Sequence, residues 1–187
     1  QQYHGVVHCA LGWACWKTYV GRPETDWTRQ TAMQLLGNGL FAVGICEEAL
    51  AVEEAILSMM KRKAARGSAT EIDVLTSQSN IAITYGQLGN AEKALSIERD
   101  VYSGYLRHFG EEHSHSLKSA NNLAASLYDI GDFEEVKALL RKTMPVARRV
   151  LGEGDSINFR MRNNYAMALY NDPAATLDDL REAVTTL

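Results

Sequence analysis

Three asparagines, Asn80, Asn122 and Asn164, stand at intervals of 42 residues in a chain of 187. A carboxamide carries both a donor and an acceptor, so a ladder of them can hold the main chain of an extended peptide whatever its side chains. The competing reading is mechanical, since repeated asparagines also cap or brace neighbouring helices. Other residues with chemical potential carry less. Glu112, His113 and His115 crowd together in "EEHSH", but the residue 42 positions after His113 is Asp155 and the spacing offers no fourth ligand, so no metal is expected. The chain lacks a phosphate loop, a GxSxG elbow and an HExxH helix. Cys9, Cys15 and Cys46 have no motif partner for nucleophilic catalysis, and Cys46 falls where the buried face of a helix begins, as a core thiol would. The expectation is a protein without catalytic residues or cofactors.

The elements that position the asparagines follow from the same spacing. Ala82, Ala124 and Ala166 coincide at 42 residues, as do Tyr85, Leu127 and Leu169; Gly89 answers Gly131, and Gly110 answers Gly152. A looser copy lies earlier, where "GICEEAL" matches "GNAEKAL" at a spacing of 45. Periods of this length are the mark of helical solenoids. Leu117, Ala120, Leu123, Ala124 and Leu127 recur at three- and four-residue steps and so share one helix face, with the small Ala124 where a neighbour comes close. Gly131 ends that helix, and Phe133, Val136, Leu139, Leu140 and Met144 form the stripe of a second helix folded back on it. Ser114 and Ser156 are the expected N-caps. In the basic run "RKTMPVARR", Pro145 is expected to break or kink the helix, and the charges to form a solvated face.

Composition bounds the function. With 46% hydrophobic and 22% charged residues, the chain can bury a core as one array, and its formal charge of -4 gives no basic excess for nucleic acid or anionic membrane. Three cysteines without a CxxC pair speak against a disulfide framework and for an intracellular, cytoplasmic location. The apolar run "VVHCALGWACW", Val6 to Trp16, is far shorter than the roughly 20 residues that span a bilayer, and a buried helix is expected there. Trp13, Trp16 and Trp27 are expected in the core of an N-terminal cap, with a turn at "GRPETD" and Asp26 as the next N-cap.

The sequences "NNLAASLY", "FEEVKALL", "FGEEHSHSL" and "LGEGDSINF" resemble tetratricopeptide repeats of the 42-residue kinesin-light-chain type, from Trp27 to Leu187 and most closely from Val74 to Phe159. The chain departs from that pattern at His113-Ser114 and Asp155-Ser156, where the family has His-Pro, at Val136, and at "NDPAAT", which replaces a turn glycine. The resemblance implies an all-α, right-handed superhelical solenoid of antiparallel helix pairs with about four repeats. Residues 1–26 would form an atypical helical cap, and 27–187 the array, divided at about 27–68, 69–113, 114–155 and 156–187. First helices of such arrays line a concave groove. The implied groove residues are Asn80, Asn121, Asn122, Asn163 and Asn164, with Tyr128 and Tyr170 beside them. The family's matching asparagines bind peptide main chain, and Lys118 and Arg160 would add a preference for acidic residues, unless they form a solvated face.

The expected function is therefore a non-catalytic module that binds a peptide or partner segment, with no nucleic acid and no membrane insertion. The alternative is a structural subunit of a larger assembly, docked through its ends or convex face. The chain opens on Gln1 and not Met, as a piece of a longer protein would. At the other end, Leu177, Leu180, Val184 and Leu187 make one stripe, expected to pack inward on Tyr165 and Leu169, with a capping helix beyond.

Overall fold

The computed structural model describes residues 2–186, with side chains from Gly5 onward. It contains nine helices among these residues: α1 (Gln2–Tyr19), α2 (Trp27–Ala42), α3 (Cys46–Ala65), α4 (Glu71–Gln87), α5 (Ala91–Phe109), α6 (Ser114–Asp129), α7 (Phe133–Leu151), α8 (Ser156–Asn171) and α9 (Leu177–Thr186). They fall into two compact units, Gln1–Asn90 and Ala91–Leu187.

In the first unit α1 lies directly against α2, and glycines set the distance. A Cβ on Gly39 would stand 2.6 Å from the Cys9 Cα, and one on Gly12 would stand 2.7 Å from the Leu36 Cα. Backbone therefore touches backbone, as only glycine permits. The small residues occupy the contact, so the large ones face away. Val6, Val7, Leu11 and Trp13 are exposed, which corrects the expectation of a buried helix over Val6 to Trp16. Trp27, in the first turn of α2, is also exposed, whereas the half-buried Trp16 packs on Met33 and Leu36. Asp26 does cap α2, its Oδ1 accepting from the Thr28 backbone and hydroxyl. Those hydrogen bonds hold its carboxyl down at about 2. Cys46 is only half-buried at the first residue of α3, not the core thiol expected.

In α6 and α7 of the second unit the predicted faces are the buried ones. Leu117, Ala120, Leu123, Ala124 and Leu127 of α6 are all buried, as are Val136 and Leu140 of α7, while Phe133, Leu139 and Met144 pack at the edge of this core. Gly131 turns the chain between α6 and α7 at φ 81°, a left-handed conformation costly to other residues. After α8 no glycine stands at this turn. The chain instead leaves through Asp172 in extended conformation, held by Lys137 Nζ at 2.6 Å and by the Ala174 amide. Burial opposes the charge of Lys137, but its hydrogen bonds to Asp172 and Glu134 raise its pKa overall.

Three local expectations are corrected here. Ser114 and Ser156 are the first helical residues, and the caps stand one position earlier: His113 Nδ1 accepts from the His115 amide, and Asp155 Oδ1 from that of Ile157. α7 is not broken at Pro145 and runs from Phe133 to Leu151. The three arginines of the basic run and Lys142 are ion-paired at the surface: Arg141 with Glu182, Lys142 with Glu111, Arg148 with Glu153 and Arg149 with Glu112. Finally, α9 turns Ala183 inward, and Leu177, Leu180 and Val184 face solvent. The rotation of α9 is set by Tyr165, whose hydroxyl donates to Glu182 at 2.6 Å, with the small Ala183 next to it in the core. Leu187 lies outside the described residues.

Candidate interaction site

The first helices α6 and α8 lie side by side and carry most of the residues singled out from sequence. Asn121 is 5% exposed, and its Oδ1 accepts from Asn164 Nδ2 at 3.2 Å. Two helical turns further on, Asn171 Nδ2 donates to the Tyr128 hydroxyl at 2.7 Å. These two bonds tie α8 to α6. Asn122 and Tyr128 are half-buried; Lys118, Arg160, Asn163 and Tyr170 are exposed. Burial pushes the neighbouring Asp129 carboxyl above its ordinary range.

Asn80 belongs to the first unit, half-buried on α4, where it lines a crevice of about 10 Å³ with Gln34, Asn38, Glu53 and Ser77. That volume holds one water at most. Glu53 is a residue that the sequence reading passed over. It is 8% exposed and accepts from the Thr84 hydroxyl at 2.8 Å, while burial raises its pKa. Its only signal in the sequence is Glu98, 45 positions later at the matching place and also buried.

The "EEHSH" linker is committed to structure. Glu111 and Glu112 pair with α7, and His113 stacks on Phe109 at 4.1 Å between ring centres while capping α6. His115 stacks on His113 and on Tyr105, and its pKa is lowered by partial burial first, then by His113 and Lys118. A roomier cleft of about 580 Å³ lies between α7, α8 and α9, where Arg141, Arg148 and Arg162 surround Tyr165. Burial and the Glu182 hydrogen bond push the Tyr165 phenol up to about 12, so it remains a neutral donor. Among the described residues, no helix is long and apolar enough to cross a membrane.

The tetratricopeptide-repeat family model matches residues 74–115 and 116–156. None of the curated proteins matches the chain in sequence. Among solved structures, a kinesin-light-chain-like protein of Podosopora anserina, with nearly identical TPR-like repeats, superposes with a TM-score of 0.67. It is 19% identical, over 92% of this chain and 77% of that one. BtubC (BKLC) from P. vanneervenii superposes with a TM-score of 0.68 at 15% identity, over 100% of this chain and 70% of that one. Tetratricopeptide repeats serve protein–protein interaction, and so protein partners are implied. The chain thus carries two matched tetratricopeptide repeats, at 74–115 and 116–156, within an all-α repeat fold that it shares with these neighbours.

Proposed function

We propose that the exposed face of α6 and α8 binds an extended, acidic peptide segment of a partner protein. The observation that carries this reading is the alignment of Lys118 with Arg160, both exposed, one on each of two helices held in register by the Asn121–Asn164 bond. Asn122 and Asn163 lie one helical turn further along the same helices, where carboxamides can satisfy peptide main chain. Tyr128 and Tyr170 follow at the far end. The charges choose the ligand and the amides hold it. No catalytic group, metal or cofactor takes part, and the location that suits this role is the cytoplasm.

The test is an immobilised array of extended peptides of equal length, acidic against neutral, probed with the full chain. Acidic peptides should be retained, and their binding should weaken as salt rises, because exposed charges are screened. Asn122→Ala should cost roughly 1 to 3 kcal/mol of binding with the melting temperature unchanged. A flat salt response, or equal loss of stability and binding, would remove this reading. A structural subunit docked through its ends is the second reading, and it draws on the exposed apolar residues of α8 and α9.

A further inference from the structure

The groove between α1 and α3, floored by α2, is a cleft of about 500 Å³, whereas the matching groove between α5 and α7, floored by α6, leaves only about 10 Å³. Two residue differences account for the contrast. In the second unit Lys142 reaches across the groove to Glu111, and the buried Ser116 hydroxyl donates to the Tyr105 carbonyl. Ala55 and Arg29 take those two places in the first unit, at the sum of the repeat spacings of 45 and 42. The bridge is therefore lost, and Glu24, the counterpart of Glu111, pairs with Arg62 through both oxygens instead. The open cleft is graded along its length. Glu24, Arg29 and Arg62 stand at one end and Leu36 and Ala51 at the other, with Trp13, Trp16 and Met33 between them. From Ala51 to Arg62 the wall is about 16 Å long. Arg29 brings a charge that nothing neutralises. Its Nη1 donates to the Arg22 carbonyl at 2.6 Å, and its guanidinium lies 5.8 Å from the Trp16 ring centre. Its Nε is buried without a hydrogen-bond partner, and among the described residues no carboxylate pairs with it.

We infer that this cleft binds a single-chain amphiphile with a carboxylate head, the chemical class of a free fatty acid. The carboxylate takes the Arg29 guanidinium in a charge-assisted hydrogen bond. The chain runs from there over Met33 and the two tryptophans towards Leu36 and Ala51. A volume of this size, walled by apolar and aromatic side chains with one unmatched charge, is that of a small-molecule site. A further helix does not fit it. Over the same length a helix, about 10 Å across with its side chains, needs roughly twice that volume or more. Both walls and the floor also belong to the described helices, and a unit stacked before α1 packs on the side of α1 turned away from α3. The site shares no residue with the face of α6 and α8, so the two readings stand or fall separately.

The experiment titrates dodecanoate, below its micellar concentration, into the full chain by calorimetry, with dodecanol and dodecylamine as controls. Dodecanoate should bind saturably and shift the tryptophan emission, because Trp13 and Trp16 line the cleft. Dodecanol should bind roughly tenfold more weakly, as loss of a hydrogen bond to a charged group predicts, and the amine should not bind. Arg29→Gln should weaken dodecanoate by the same factor and leave dodecanol unchanged. Ala55→Phe, at an exposed position on α3, fills the open wall and should abolish binding of both with the melting temperature unchanged. Lys118→Glu should leave the dodecanoate affinity as it is. Absence of saturable binding, equal affinity for acid, alcohol and amine, or binding indifferent to Ala55→Phe overturns the assignment. Displacement of dodecanoate by an acidic peptide would give the cleft to a protein segment, and overturns it too.

Discussion

The pairs α6/α7 and α8/α9 are built from nearly the same sequence pattern and end in different physical states. In the first pair, α8 covers the apolar stripe, a left-handed glycine makes the turn, and a histidine caps the leading helix. In the second, the corresponding stripe faces water, an extended Asp172 tied to Lys137 makes the turn, and an aspartate caps. Hydrophobic periodicity says which residues share a face; only a neighbour makes that face a core. The same lesson appears at α1, where an apolar helix rests on α2 through glycines and shows Val6, Val7 and Leu11 to solvent.

The comparison is tested most severely at Leu140 and Val184. Leu140→Ala removes a fully buried side chain from the core and should cost about 2–5 kcal/mol, whereas Val184→Ala should stay within about 0.5 kcal/mol. Chemical denaturation of both variants measures the difference, and equal losses would mean that the α9 stripe is covered in solution. A smaller contrast separates the two amides of α8. Asn164→Ala strands the buried Asn121 oxygen and should cost about 1–3 kcal/mol, while Asn163→Ala should be close to neutral by the same measurement. The smallest effect concerns His115, in the first turn of α6. His115 has a folded-state pKa below its ordinary value, so the folded form binds fewer protons than the unfolded one. The resulting stability is complete above about pH 6.5, the ordinary histidine value, and is lost as pH falls through the lower folded value. Melting temperature should therefore fall on acidification from neutral pH, and His115→Gln, which removes the titrating ring, should flatten that fall. An unchanged pH profile in the variant would remove His115 from the account.

The helical repeat, its first- and second-helix faces and its turn glycines were legible in the residues. Period and side-chain type act locally, and a left-handed turn or a three-four stripe leaves a direct trace. The asparagines were legible as a ladder but not as two kinds of residue. Asn121 and Asn122 are adjacent letters, yet a rotation of about 100° around the helix buries one against Asn164 and leaves the other half-exposed. Glu53 was missed because a lone glutamate in an amphipathic helix looks solvated until α4 brings the Thr84 hydroxyl to it.

What the sequence determined by itself is the backbone plan: helices over the expected spans, ended by glycine where φ must be positive, with a repeat that commits the chain to stacking helix on helix. Tertiary structure alone decided which apolar stripes became core, which caps displaced the expected serines, and how α9 is rotated. Those outcomes depend on partners distant in sequence. Tyr165 reaching Glu182, Lys137 reaching Asp172 and Gly12 against Leu36 are contacts of specific geometry, and a pattern of residue types carries no information about the distance at which two helices will meet.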